Sequence, residues 1–161
     1  KIDAGHSTTI YNGECVKISS GYVVGGNGSA AAIIGVLNGI FYNDASTLKP
    51  TFANFYKATI TPANSEDTTA FVIDDPFQLY VVAADTATGV ATFLETYDMN
   101  SSSGDDTTGK SDSTLAIGTT SANDKQFRML RSAEDPENED ATAVRHSVIV
   151  VSNQNSFNGH N

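Results

Sequence analysis

Ile33-Ile34-Gly35-Val36-Leu37-Asn38-Gly39-Ile40-Phe41-Tyr42 is the most hydrophobic run of the chain. Side chains alternate along a strand, so Val36, Asn38, Ile40 and Tyr42 are expected on one face and Leu37, Gly39 and Phe41 on the other. Gly35 and Gly39 mark a bulge or a close approach of backbone. Upstream, Ile10-Tyr11, Cys15-Val16-Lys17-Ile18 and Tyr22-Val23-Val24 are separated by Asn12-Gly13 and Ser20-Gly21, which reads as short strands joined by tight turns. Gly25-Gly26-Asn27-Gly28-Ser29 is a flexible loop. It lacks the lysine and the strand-to-helix setting of a phosphate loop. Residues 1–9 are polar and form an arm or an edge segment.

Downstream, Asn43-Asp44-Ala45-Ser46 reads as a turn. Residues 52–60 alternate as a strand with aromatic groups on both faces, and 61–69 are a polar loop. Strands follow at 70–73 and 78–83, the latter with Leu79, Val81 and Ala83 on one face, around a turn at Asp74-Asp75-Pro76. From Thr88 as N-cap, Val90, Phe93, Leu94 and Tyr97 fall at helical spacing and predict one helix, about residues 88–97. At about three turns it needs a sheet to pack against. Residues 100–112 are a long polar loop. Strands are expected at 114–117, 126–131 and 144–152, the last being the clearest, with an acidic loop before it. The fold class is therefore mainly β: a single-domain β-barrel or β-sandwich of about nine strands with one short helix. Its expected parts are an N-terminal arm (1–9), a β domain (10–152) and a C-terminal tail (153–161).

Composition agrees. A chain of 161 residues fits one ordinary domain, and one that buries roughly 70% of its unfolded surface. Hydrophobic residues make up 39% and charged residues 17%, the balance being rich in Ser, Thr, Asn and Gly. That mix suits strands and polar turns better than a helical bundle. The net charge of −10 repels nucleic acid and anionic lipid, while it can complement a basic patch on a protein partner. Cys15 is the only cysteine, so no internal disulfide forms, and its apolar setting reads as a buried small hydrophobe. No stretch approaches the ~20 apolar residues of a membrane-spanning helix, and none has the pattern of a secretory leader.

No residue set stands out as reactive. Asp74-Asp75 invites a metal or paired-carboxylate reading, but an Asp before Pro at a turn more often accepts backbone hydrogen bonds. Asp105, Asp106 and Asp112 sit in a polar loop without EF-hand spacing. Residues 134–140 hold five acids, Glu134, Asp135, Glu137, Glu139 and Asp140, and read as a solvated loop or a contact for a basic surface. His6, His146 and His160 are scattered. No serine lies in Gly-x-Ser-x-Gly or is otherwise singled out as a nucleophile. The expectation is a protein that is not an enzyme and uses no cofactor or metal.

Several segments carry a resemblance. They are Gly35-Val36-Leu37-Asn38-Gly39-Ile40-Phe41-Tyr42-Asn43-Asp44, then Lys49-Pro50 and Phe55-Tyr56, then Ala70-Phe71-Val72-Ile73-Asp74-Asp75-Pro76 leading into Leu79-Tyr80-Val81-Val82-Ala83-Ala84-Asp85. With Tyr11-Asn12-Gly13-Glu14-Cys15-Val16-Lys17 before them and Thr107-Thr108-Gly109-Lys110-Ser111, the strand at Phe127–Leu130 and the closing Val148–Asn153 after, they resemble capsid decoration (cement) proteins of tailed bacteriophages, marine phage type. Phe55-Tyr56-Lys57 departs from the Trp-Pro pair expected there. The resemblance implies a protein of the virion exterior that binds the major capsid protein lattice and copies of itself, as a dimer or trimer, with no nucleic acid or membrane partner. Candidate contact residues are Lys1, Ile2 and His6 in the arm, Phe55 and Tyr56, and Phe157 in the tail. A carbohydrate- or host-surface-binding module of a phage head or tail fibre is the alternative, weakened by the absence of Trp. A small hydrolase on a β scaffold is a third reading.

Overall fold

The computed structural model describes residues 1–28, 31–101, 103–118, 124–138 and 140–157. The chain is mainly β, as expected, with two antiparallel sheets. Its residues gather into two compact units.

The first unit comprises Lys1–Gly26, Ile34–Asp74 and Ser102–Asp112. Strands β1 (Cys15–Ser19) and β2 (Tyr22–Gly25) form a hairpin. Ser20 and Gly21 have φ of 52° and 87°, the pair of positive values that a two-residue turn needs to match strand twist. Strand β3 (Gly35–Asn43) is the centre of the sheet. It pairs with β1 at its start, with β4 (Pro50–Ala53) at its end, and with β5 (Thr69–Ile73) along its length. Gly35 runs at φ 151°, and a Cβ there would collide with the Ile73 carbonyl, so the strand can lie this close to β5 only without a side chain.

The expected alternation along this strand fails at one residue. The register to β5 shifts between Leu37 and Gly39, and Asn38 is pushed out as an exposed bulge. One extra residue reverses the side-chain phase. Leu37 and Ile40, predicted on opposite faces, are therefore both fully buried in a core with Ile2, Ile10, Val16, Val23, Ile34 and Tyr56. Removing a side chain of this size from water contributes roughly 1.5–3 kcal/mol.

The strand expected over 52–60 ends at Ala53. Beyond it the Asn54 amide donates to the Thr108 carbonyl at 2.7 Å, and Tyr56 exchanges backbone hydrogen bonds with Ile10, both at 2.9 Å. The turn at Asp44 forms as read, with Oδ1 accepting from the backbone N–H of Ser46 and of Thr47. Residues 1–9 are bound to the sheet at their start. Ile2 and Thr68 exchange hydrogen bonds at 2.8 and 3.0 Å, and Val23 N–H donates to the Lys1 carbonyl at 2.7 Å.

The second unit comprises Asn27–Ile33, Asp75–Ser101 and Ser113–Asn161. Its strands are β6 (Leu79–Ala83), β7 (Thr96–Tyr97), β8 (Phe127–Ser132) and β9 (Ser147–Ser152), in the order β6-β9-β8-β7. Val148 and Val150 of β9, Phe127 and Met129 of β8, and Tyr97 are buried. The strand expected at 114–117 is instead a crossing point, where buried Leu115 bridges both Ala84 and Met99. His146 is fully buried, with Nδ1 3.0 Å from the Asn138 carbonyl. His160 and the last residues of the tail lie outside the described residues.

The helix predicted over 88–97 does not form. A single 3-10 turn spans Val90–Thr92, Gly89 before it is extended at φ −159°, and Phe93 after it is extended at φ −72°, ψ 144°. Leu94 then turns at φ 65°. Two forces outcompete the helix. The Thr92 hydroxyl bonds back to the Gly89 backbone, accepting from its N–H at 3.2 Å and donating to its carbonyl at 2.7 Å, a local alternative to helical bonding. Next, Leu94 N–H donates to the Met129 carbonyl and Met129 N–H to the Glu95 carbonyl, which draws 94–97 into the sheet beside β8. Val90 and Leu94, half of the predicted apolar stripe, are exposed.

Candidate interaction surface

The bulge at Asn38 decides which way the aromatic residues of the first sheet face. Once Ile40 points inward, Phe41 must point outward. Its partner across β4 is Phe52, and Phe71 of β5 lies opposite Gly39 on the same face. The Phe41 and Phe52 rings are 4.7 Å apart at 44°, and those of Phe52 and Phe71 are 6.2 Å apart at 14°. Phe52 is 72% exposed and Phe71 45%. Ile73, two residues on from Phe71, is also exposed. The result is a ladder of three rings, with Phe52 packed against both Phe41 and Phe71 and one face in water. Rings at these separations attract one another beyond the area they bury.

The predicted contact residues fall in different places. Lys1 is exposed and donates from Nζ to Thr69 Oγ1 at 2.7 Å. Ile2 and Tyr56 are completely buried, so they hold the first unit together and offer no surface to a partner. Both lie where chain segments cross, Ile2 beside Thr68 and Tyr56 beside Ile10, which their local sequence does not show. His6 is half-buried, its ring 5.5 Å from that of Tyr56, whose hydroxyl donates to the His6 carbonyl at 2.8 Å. Burial pushes the His6 imidazole below its ordinary pKa, partly opposed by the charge of Asp3. Thus Ile2, His6 and Tyr56 do come together, as interior support. Phe55 is half-buried and stacks parallel on Tyr11 at 6.1 Å, with Gly109 leaving no room for a Cβ against its ring. Phe157 in the second unit is exposed, its N–H donating to Asn155 Oδ1 at 2.8 Å.

The acidic positions have structural partners. Asp75 Oδ1 accepts from Phe77 N–H at 2.9 Å, the capping role read for the turn before Pro76. Asp105 accepts from Thr107 N–H, and Asp140 from the N–H and hydroxyl of Thr142. These bonds hold both carboxyls below the usual carboxylate range. Among the described residues no group of three or more His, Cys, Asp or Glu could hold a metal ion, and no helix is long and apolar enough to cross a membrane. Cys15 is buried, as read.

The phenylalanine ladder is the feature that reading the sequence missed. Its signal was present as Phe41, Phe52 and Phe71 in three strands, but their common face follows from the pairing of those strands, and its outward direction from the bulge. No protein-family model, curated protein or solved structure matches the chain.

Proposed function

We propose that this chain is a structural virion protein that binds the outer surface of a phage capsid lattice and stabilises it. The observation that carries the reading is the phenylalanine ladder, an aromatic surface held in water on a rigid sheet. Exposed apolar surface of this kind is worth burying against a partner, and aromatic side chains dominate the centres of protein interfaces. The negative charge of the whole chain supports the same reading, since it keeps free copies apart and complements a basic lattice surface. The resemblance of its strands and turns to decoration proteins supplies the kind of partner. Repeated copies on a lattice turn modest contacts into firm attachment. On this reading the chain acts by contact, not by turnover.

Co-sedimentation with purified capsids tests it. The protein is expected to pellet with assembled particles and to remain unbound when mixed with free capsid subunits. Attachment that survives replacement of Phe52 and Phe71 by Ser, or no attachment at all, would overturn the reading.

A further inference from the structure

At the end of β3 the first unit holds an open cleft of about 600 Å3, lined among others by Tyr42, Asp44, Lys57, Thr59, Ile60 and Thr61. That size lies within the range of small-molecule sites, about 300–1,000 Å3. Its floor is apolar, because Tyr42 and Ile60 pack against the hydrophobic core. Its walls carry hydrogen-bonding groups the protein leaves unused. The Tyr42, Thr59 and Thr61 hydroxyls have no hydrogen-bond partner among the described residues.

Asp44 is built differently. Its Oδ1 accepts four hydrogen bonds, from the N–H and hydroxyl of Ser46 at 3.0 and 2.6 Å and from those of Thr47 at 2.9 and 3.1 Å. The carboxylate is therefore fixed in direction and held anionic, below its ordinary pKa, while Oδ2 makes no hydrogen bond to the described residues. Lys57 also lines the cleft, its ammonium tied by a loose pair to Asp106 at 3.7 Å with both side chains exposed. A pair of this kind contributes little, so the ammonium can redirect its donors to a ligand.

One fixed acceptor, one ammonium and several hydroxyls around an apolar floor describe a particular ligand chemistry. The single carboxylate and single ammonium offset each other, and the −10 net charge disfavours anions. A ligand with many hydroxyls and an apolar ring face satisfies the walls and the floor together. We propose that this cleft binds a neutral mono- or disaccharide, whose hydroxyls donate to Asp44 Oδ2 and bond to Lys57 and the Tyr42 hydroxyl while a C–H face lies on Ile60 and the Tyr42 ring. The site is separate from the phenylalanine ladder, so saccharide binding by the free protein and attachment to particles stand or fall independently.

The test is a titration of the free, isotope-labelled protein, followed by backbone amide NMR, with glucose, galactose, mannose, N-acetylglucosamine, maltose and lactose. At least one is expected to give saturable shifts at residues 42–46 and 57–61, with a dissociation constant on the order of 1 mM. Tyr42→Phe removes one hydroxyl, and Asp44→Asn keeps an oxygen for the turn while removing the charged acceptor. Each is expected to weaken binding at least about 5-fold without altering the rest of the spectrum. If Asp44→Asn perturbs the fold, Tyr42→Phe alone decides. The proposal is overturned by no saturable shift with any of these sugars, by shifts centred elsewhere, by undiminished binding in Tyr42→Phe, or by tighter binding of glucuronate than of glucose.

Discussion

The outer face of the β1–β5 sheet carries Phe41, Phe52 and Phe71, whereas that of the β6–β9 sheet carries Leu79, Val81, Ile149 and Val151. Both faces are apolar where an antiparallel sheet facing water usually turns polar. They differ in what stands beside the apolar side chains. In the second sheet Arg128 lies opposite Val151 and Arg131 opposite Ile149, in line with Leu79 and Val81 on the far side of β9. Both arginines are engaged locally: Arg128 donates to the Leu94 carbonyl and to Asn153 Oδ1, and Arg131 to the Ser132 carbonyl. Charged stems of this kind cover aliphatic neighbours while their heads stay in water. In the ladder each phenylalanine has only another ring beside it among the aromatic contacts. Leu79 and Val81 remain about as exposed as Phe52 and Phe71, so the two faces differ in chemistry, aliphatic beside arginine in one and ring against ring in the other; on the proposed reading it is the ring face that meets a partner.

The sharpest way to break the first sheet alone is Gly35→Ala. The new Cβ meets the Ile73 carbonyl at a backbone angle that side chains rarely adopt, and a loss on the order of 3 kcal/mol or more is expected from strain and overpacking together. Chemical denaturation measures it, with Gly89→Ala as the control: nothing lies within 4 Å of that position, and the change is expected to stay within about 0.5 kcal/mol. Next in size, replacing Phe52 and Phe71 together by Ser is expected to weaken particle attachment about 100-fold, against less than about 5-fold for Leu79 and Val81 replaced by Ser. Equal losses from the two pairs would erase the distinction between the faces.

A smaller effect separates a buried strand position of the first sheet from an exposed one of the second. Ile40→Val, in the core, is expected to cost about 1 kcal/mol, whereas Val81→Ala, on a side chain 68% exposed, is expected to change stability by no more than about 0.5 kcal/mol. The smallest effect is that of pH at His6. Its folded pKa lies below the ordinary imidazole value of 6.5, so the unfolded chain binds the proton first as pH falls. Stability is whole above that value, declines as pH drops from about 6.5 toward the folded pKa, and levels off beneath it. Thermal melting at several pH values should show a gentler acid slope in His6→Gln than in the parent chain.

Turn chemistry and local hydrophobicity were legible because they act over a few residues. Ser20-Gly21 supplies two positive φ angles, and Asp44 and Asp75 cap their own turns. The strands at Leu79–Ala83 and Ser147–Ser152 likewise follow from runs of β-branched residues. Three features were not legible, each for the same reason. The bulge at Asn38 depends on how β3 meets β5, the loss of the 88–97 helix depends on Met129 pairing with Leu94 and Glu95, and the burial of Ile2 and Tyr56 depends on Thr68 and Ile10. In each the partner lies far along the chain. The ladder and the cleft inherit that dependence, since both are laid out by the phase and the end of β3.

By itself the sequence determined the mainly β class, the places where the backbone reverses and the strongly negative charge, because these follow from conformational preference, hydrophobicity and ionisation of neighbouring residues. Tertiary structure decided which side of each strand meets water. Side-chain direction flips with a single inserted residue, and the strand across the sheet, not the residues beside it in the chain, fixes where that insertion falls.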